Sequence, residues 1–404
     1  MKQQVFAAFV DLTAAFDTIQ RSWLFTILRK RFGDDESKNS NISVLEALYS
    51  STKAHISTDE ATLAFETLAG VRQGGPESPS LFCLLMDWVM RIFEIRAAKM
   101  GLKGVQLKFN ISTSATNTAE RFEHPSRGNL NLLWVGFADD IQIQFTTVED
   151  LRTGLDLLVA IFDEFDLHLS EKKTETMIFN AECDDADYPE TLHTVNGIEL
   201  KNVKVFKYLG SKLQYNQPGT GDTEIESRIN LAKGKFESQK FIFCNQKIHK
   251  WIRMLFYNAF IRSRLTYACQ TWTLTKSQIG KLNSTHSTFL RRMARNGFRR
   301  RIPVSEVETT ENESEIPRSY FYYNTDLYKI FKTSQVSDYI DTQRKKFAAH
   351  IIRQPNSRHT KQLMFNCDKY KLAGNRTGTL LEQTVTNYGT DKDQFIRDAR
   401  KREF

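Results

Sequence analysis

A chain of 404 residues with 40% apolar content and 29 Phe can bury a large core, which excludes a disordered or fibrous protein. Its net charge of +8 fits a polyanionic partner such as nucleic acid without requiring one. The five scattered cysteines (Cys83, Cys183, Cys244, Cys269, Cys367) lack zinc-ligand spacing and make no disulfide framework, so a reducing compartment is expected, with no membrane helix and no secretory signal.

The first element is expected at "VFAAFVDL", a short, apolar, aromatic-rich strand buried on both faces and ending in Asp11. A helix follows, with Ile19, Trp23, Ile27 and Leu28 at helical spacing and Gly33 as its stop. Asp17 is expected to cap a helix beginning near Thr18. The polar segment 34–41 reads as a loop. At "LAGVRQGGPESPSLFCLLMDWVM" a turn at Gly74 and Gly75 leads into a helix, with Ser78 as N-cap, Pro79 at the first helical position and an apolar stripe behind. Residues 106–129 are polar and read as an irregular insertion.

"LLWVGFADDIQIQF" reads as a hairpin with an acidic tip, its second strand alternating as Ile141, Ile143 and Phe145. Thr147 and Asp150 form a capping box for a helix running to about Phe165. "SEKKTETMIF" ends in a strand, and "VKVFKYLGSKL" reads as another. From about residue 223 the pattern is helical. "HKWIRMLFYNAFIRSRLTYACQTW" is amphipathic, with Trp251, Leu255, Ala259 and Arg262 on successive turns, and another helix covers 276–295. Residues 291–301 then hold six arginines and no acid, and residues 306–315 hold five glutamates and no base, a charge switch that marks a linker or domain edge.

The residues that can carry chemistry are Asp11, Asp139 and Asp140, each at a strand end beside a turn. Hard divalent cations take oxygen ligands, and two of them can clamp the attacking and leaving oxygens of a phosphoryl displacement. An Asp-Asp pair alone is also ordinary turn chemistry. Asp11 is harder to explain that way, because an unpaired buried carboxylate is costly.

"FVDLTAAFDTI", "GVRQGGPESPSLF", "FADD", "SEKKTETM" and "FKYLGSKL" occur in this order. Together they resemble the successive palm motifs of reverse transcriptases, and specifically those of non-LTR (LINE-type, RTE-like) retrotransposons. "SRINLAKGKF", "YACQTWTLTKSQIGKLNSTHSTFLRRM" and "AAHIIRQP" look like the region after the polymerase core in RTE-like elements. The resemblance covers most of residues 5–355. It implies an α+β fold: a palm, with an antiparallel sheet packed on helices, over 1–215; a helical thumb-like region over 216–303; and a region of uncertain fold over 304–404. The implied activity is RNA-directed DNA synthesis, with two Mg²⁺ ions (or Mn²⁺), an RNA template, a DNA primer and dNTPs as partners, no membrane, and a nuclear location.

Residue by residue, the resemblance makes Asp11, Asp139 and Asp140 the catalytic metal ligands, Asp139 the more important of the hairpin pair, and the Leu12 carbonyl a further ligand. Phe16 matches the aromatic gate that excludes a 2′-hydroxyl; as an isolated residue it would be a core Phe. Asp17 is structural. Gln73 and Gly74 match the loop touching the incoming nucleotide and template, with Arg72 a phosphate contact or a surface charge. Lys173 matches the lysine near the leaving pyrophosphate, with Lys172 its rival. Tyr208, Leu209 and Gly210 match the primer grip. Arg291, Arg292, Arg295, Arg299, Arg300 and Arg301 are expected to meet phosphates, which gives affinity and salt dependence without sequence choice. Two positions depart from the pattern: Glu77 stands for an apolar residue and Gly75 for Cys or Asp. The family's fingers and endonuclease are expected upstream, so the chain reads as N-terminally truncated, palm onward. An RNA-templated RNA polymerase, a group II intron maturase, a telomerase, and a silent remnant that at most binds nucleic acid are the alternatives.

Overall fold

Val5–Val10 (β1) is the strand around which the first part of the chain is built. Ala7, Ala8, Phe9 and Val10 are all buried, as expected for a strand with neighbours on both edges and both faces covered. The structure, a computed structural model, describes residues 3–57, 62–111, 115, 125–181, 183, 185–216, 220–294, 299–300, 320–321, 323–365 and 380–401. The chain divides into two compact units: Met1–Leu107 with Asn129–Leu209, and Lys108–Gly128 with Gly210–Phe404.

In the first unit β1 is followed by a four-residue helical turn α1 (Ala15–Thr18), then α2 (Arg21–Phe32) and α3 (Glu36–Tyr49). The expected loop at 34–41 is therefore mostly helix. Its polarity is that of an exposed helix start, capped by the Asp35 carboxylate, which accepts from the Lys38 amide at 3.2 Å. An exposed ribbon, β2 (Lys53–Ser57) and β3 (Thr62–Glu66), precedes α4 (Ser78–Lys99). Ser78 lies inside the first turn of α4 and does not cap it. Its hydroxyl donates to the Arg72 carbonyl at 2.6 Å, closing the preceding loop. Of the predicted stripe on α4, Leu81, Phe82, Leu85 and Val89 are buried.

The chain continues through β4 (Val105–Asn110), β5 (Arg127–Leu132), β6 (Trp134–Phe137), β7 (Asp140–Phe145), α5 (Val148–Glu164), β8 (Glu175–Phe179), β9 (Thr191–Val195), β10 (Ile198–Asn202) and β11 (Val205–Tyr208). β4 and β5 overturn the expectation of an irregular 106–129. Val105, Leu107 and Phe109 alternate with exposed Gln106, Lys108 and Asn110, a period-2 pattern too short to stand out among polar neighbours.

Six strands form one sheet in the order β6-β7-β1-β8-β10-β9; all pairings are antiparallel except β8 with β10. α5 lies on this sheet against β7, β1 and β9, and α4 packs on α5 and α2. α5 is the cleanest amphipathic element, with Leu151, Leu155, Leu158, Ile161 and Phe162 buried, and Thr147 caps it by accepting from the Asp150 amide at 3.1 Å.

From Gly210 the chain belongs to the second unit, and β12 (Ser211–Gln214) opens this part of it, so "VKVFKYLGSKL" is two strands. The chain breaks between them because Leu209 (φ 46°) and Gly210 (φ 83°) take left-handed conformations. Helices α6 (Asp222–Ser238), α7 (Lys240–Phe243), α8 (Lys250–Tyr257), a π-turn (Asn258–Arg262), α9 (Ser263–Leu265) and α10 (Lys276–Met293) follow. Here the sequence expectation picks the wrong face. Met254, Tyr257, Ile261 and Leu265 point into the core, whereas Trp251 and Leu255 are exposed. Both rows are apolar, so periodicity could not rank them.

Beyond them lie a two-residue strand pair (Arg299–Arg300 with Tyr320–Phe321) and α11 (Asn324–Phe331), α12 (Val336–Arg353), α13 (His359–Met364), α14 (Leu380–Tyr388) and α15 (Lys392–Arg400). The described part of 304–404 is thus mainly helical, and its Leu327, Phe331, Val336 and Ile340 share one core with α6 and α10. Within that core the Tyr257 hydroxyl meets His286 Nδ1 at 2.6 Å, and burial pushes the imidazole down to about 4, so it is neutral at pH 7. The charge switch at 306–315 lies outside the described residues. Cys83, Cys183, Cys244 and Cys269 are free thiols, and no helix among the described residues is long and apolar enough to cross a membrane.

The contact of α5 with β7 sets a test. Gly154 faces the Phe145 ring so closely that an added Cβ would sit 2.4 Å from its Cζ. Helix propensity alone favours Gly154→Ala by about 1 kcal/mol, but overpacking a closed core costs about 1–3 kcal/mol. Gly154→Ala is expected to lower the urea midpoint; a rise would show that the ring can yield.

Candidate active site

The register of the sheet brings the acids together. β1 pairs with β7 as Phe6 opposite Phe145 through Val10 opposite Ile141. One further step along that antiparallel ladder places Asp11 opposite Asp140. β6 and β7 close with Phe137 opposite Asp140, leaving Ala138 and Asp139 as the two-residue turn, with Ala138 left-handed at φ 55°. Two strand ends and one tight turn thus set three carboxylates at one end of the sheet.

Their mutual field is visible in Asp140. Partial desolvation, then the charges of Asp139 and Asp11, hold its carboxyl above the usual range even though the residue is exposed. Asp11 is fixed more tightly. Its amide donates to Thr174 Oγ1 at 3.2 Å and its carbonyl accepts from the Ser170 amide at 2.8 Å. Leu12 bridges to Leu169, closed further by the Thr13 amide on the His168 carbonyl at 2.9 Å. The Leu12 carbonyl stands outside the bonds that close this bridge.

Asp11 Oδ2 is buried and accepts no hydrogen bond; the group facing it is the Lys173 ammonium, 3.3 Å away. Lys173, rather than Lys172, is therefore the lysine brought to the acids. It is placed there by the 170–174 turn, in which the Lys173 and Thr174 amides donate to the Ser170 carbonyl at 3.1 and 2.8 Å. Among the described residues no three His, Cys, Asp or Glu side chains already enclose a metal ion. The donor set nonetheless fits a hard cation. A buried, orphaned carboxylate oxygen beside two further carboxylates is an all-oxygen, negatively charged site, and Mg²⁺ needs few protein ligands when substrate phosphates complete its shell.

Ala14 (φ 49°) opens α1, and the half-buried Phe16 ring stacks on the fully buried Phe82 with centroids 4.3 Å apart and planes at 16°. Asp17 does not cap a helix. It sits within α1, and its carboxylate accepts from Gln73 Nε2 at 3.0 and 3.3 Å, which ties the 70–78 loop to the turn bearing Phe16. Gly74 (φ 83°) has open space around it, and the Arg72 side chain is exposed. The loop closes over the buried Tyr49, whose hydroxyl lies 3.1 Å from Glu77 Oε1, 3.4 Å from Ser78 Oγ and 3.4 Å from the Arg72 amide. Tyr49 and Arg21 beneath it were not singled out from the sequence; their partners lie far along the chain, and those of Arg21 are mostly main-chain carbonyls, which leave no motif.

Tyr208 reaches the acidic hairpin directly: its hydroxyl donates to the Asp140 carbonyl at 3.3 Å, and its ring lies 5.9 Å from that of Phe9. In the second unit Arg228 holds the Gly210 carbonyl, pairs with Glu224 Oε1 at 2.6 Å and lies over the Tyr267 ring. Of the six arginines, Arg291 donates to Asn324 Oδ1 at 2.6 Å, and Arg292 pairs with Glu237 over the Phe236 ring. Arg295 and Arg301 lie outside the described residues, as do the side chains of Arg299 and Arg300.

A family model described as "Reverse transcriptase (RNA-dependent DNA polymerase)" matches residues 1–213. No curated protein matches the chain. Among solved structures it is similar at 10% identity to apo telomerase from Candida tropicalis, covering 99% of this chain and 53% of that one with a TM-score of 0.40. The form of that enzyme truncated from the C-terminal domain gives 53%, 35% and 0.36, also at 10% identity. Telomerase from Candida albicans in complex with a TWJ fragment of telomeric RNA gives 72%, 44% and 0.29 at 10% identity. The chain thus spans roughly a third to a half of the length of these structures.

The raised Asp140 carboxyl predicts a pH-dependent stability. Its ionised form is held less well in the fold than in the unfolded chain, so its penalty is absent below the unfolded value of about 3.9 and complete above the folded one. Asp140→Asn is expected to raise the thermal midpoint at pH 7, by no more than about 1 kcal/mol for so exposed a group. The gain should fade as the pH is lowered toward 4. Scanning calorimetry across that range checks it; a gain independent of pH would remove charge repulsion as its cause.

Proposed function

The chain belongs to the reverse transcriptase (RNA-dependent DNA polymerase) family, and from that premise we propose that the acidic end of its sheet carries RNA-templated DNA synthesis. The observation that carries the reading is the convergence of Asp11, Asp139 and Asp140 at the β1 and β7 strand ends, with an orphaned oxygen on Asp11 and a charge-perturbed Asp140. In this reading a primer 3′-hydroxyl loses its proton to solvent as its oxygen bonds to the α-phosphorus of a dNTP. The bond from that phosphorus to the bridging oxygen breaks, and pyrophosphate leaves.

Asp11, Asp139 and Asp140, with the Leu12 carbonyl, would hold two Mg²⁺ or Mn²⁺ ions. Such ions supply charge stabilisation at the attacking and leaving oxygens. The chain's own groups do the rest. Phe16, backed by Phe82, presents a flat ring where the sugar would lie, which excludes a 2′-hydroxyl. Gln73 and Gly74 offer a loop whose backbone a nucleotide can approach. Lys173 sits on an exposed stem that lets its ammonium turn from Asp11 toward the leaving phosphates. Tyr208, Leu209 and Gly210 would seat the primer end.

The finer assignment follows the motif order: a non-LTR, RTE-like element working in the nucleus, with 1–215 as palm, 216–303 as a thumb-like region and 304–404 following it. RNA template, DNA primer and dNTPs are the partners this reading requires. Telomerase and RNA polymerase readings share the acids, and Phe16 favours deoxynucleotides over ribonucleotides.

Primer extension on an RNA template with Mg²⁺ tests the proposal directly. Asp139→Asn should reduce dNTP incorporation to background while the thermal midpoint holds or rises. Incorporation retained in Asp139→Asn would sink the metal assignment. An inactive parent chain that still binds RNA with a steep salt dependence would reduce the protein to a nucleic-acid binder.

A further inference from the structure

We propose that Arg21 is a positioning residue that sets the height of Phe16 and thereby the sugar discrimination of the site. The inference rests on the reading of Phe16 as the residue facing the sugar, and it assigns the device that holds that ring in place.

Arg21 opens α2, yet its guanidinium is directed at main-chain oxygens rather than at an acid. Nε donates to the Gly70 carbonyl at 2.9 Å. Nη1 donates to the Tyr49 and Thr67 carbonyls at 2.9 and 2.7 Å. Nη2 donates to the Ala69 carbonyl at 3.1 Å and to Thr67 Oγ1 at 3.3 Å. The group also lies over the Tyr49 ring, 5.2 Å from its centroid. Residues 67–71 fall between β3 and α4, where no ladder or helix pairs their carbonyls. A planar fork with five donors is the one side chain that can gather such a cluster.

The segment so held is the one that holds Phe16. The Val71 amide donates to the Phe16 carbonyl at 2.9 Å, and the Gly70 amide donates to the Ile19 carbonyl at 2.8 Å. Gly70 (φ 81°) approaches so closely that an added Cβ would lie 2.8 Å from the Asp17 carbonyl oxygen and 3.0 Å from that of Phe16. A four-residue helical turn such as α1 has little stability of its own. Its position is therefore borrowed from its clamps: the Gly70–Val71 edge on its backbone, and Phe82 under its ring. Partial burial pulls the Arg21 guanidinium down from its ordinary value, consistent with a side chain turned onto main-chain oxygens.

A steric gate works over van der Waals distances, where a gap of 0.5–1 Å already forfeits about a quarter to a half of a contact. Lysine at position 21 keeps the charge but cannot reach five acceptors. The full chain is assayed with primer–template for dATP and ATP, both as incorporation kinetics and as binding by calorimetry with Ca²⁺. In Arg21→Lys the preference for dATP is expected to fall by about tenfold, the scale of a loosened pocket wall. Thr67→Val, which removes one of the Arg21 acceptors together with the hydroxyl's bonds to Thr52, gives a smaller fall in the same direction and serves if Arg21→Lys does not fold. Phe16→Val tests the gate itself. If Phe16→Val abolishes the preference while Arg21→Lys and Thr67→Val leave it intact, the positioning role is wrong and the gate stands. If Phe16→Val leaves it intact, the gate reading fails and the proposal falls with it.

Discussion

Three carboxylates repel one another, and a fold that brings them together must supply the rigidity that holds them there. In this protein that rigidity comes from the antiparallel ladder of β1 and β7. β1 is paired on both edges, with β7 and with β8, and Ala7 and Ala8 are wholly enclosed, so a slip would have to break both ladders and repack both faces at once. Because the register sets Val10 against Ile141, the next residue along each strand, Asp11 and Asp140, comes to the same end of the sheet, where the Asp11 charge acts on Asp140. The tight turn at Ala138 and Asp139 then adds the third acid. Asp140 bears the strain of that arrangement in its raised carboxyl.

Within each unit, irregular backbone is held by polar side chains. Arg21 does this in the first unit for 67–70, and Tyr49 does it for 72–78. In the second unit Arg228 does it for the Gly210 carbonyl, while its partner Glu224 accepts from the Lys212 amide at 2.8 Å. The Arg228–Glu224 pair is almost wholly buried, and a buried ion pair is justified by the extra hydrogen bonds its members make rather than by its Coulomb energy alone. Both arginines meet a tyrosine face as well, at 5.2 and 4.5 Å. A planar guanidinium with five donors suits that work, because it can meet several oxygens at once.

What the sequence made legible follows from the range of the forces involved. β1, α4, the acidic hairpin and α5 carry their evidence locally, in apolar period and turn chemistry, and each formed where its pattern placed it. The helix at Glu36–Tyr49 escaped notice because only Ile42 and Tyr49 are buried, too few to print a stripe. The α8 face was misread because two apolar rows compete there. Trp251 and Leu255 lost to Met254 and Tyr257 for a reason found only in the packing of α6 and α10 around them. The candidate acids were visible as strand-end carboxylates, but that Asp11 meets Asp140 rather than some other group is a fact of strand order. Arg21 was invisible because main-chain carbonyls have no sequence signature.

Asp11 and Asp17, six residues apart, show how far local sequence can mislead about role. Both follow an apolar or aromatic residue, and both precede a turn or helix. Asp17 is exposed and satisfied by the Gln73 amide, a neutral donor that leaves no charge uncompensated beyond what water screens. Asp11 keeps one oxygen buried without a hydrogen bond, with an ammonium at 3.3 Å on a stem that is 71% exposed. A carboxylate oxygen left so is costly to the fold by itself. The two aspartates therefore differ in what holds them: Asp17 is held by a side-chain hydrogen bond from Gln73, and Asp11 by its main-chain bonds to the 170–174 turn and an ion pair to a side chain that is mostly in solvent.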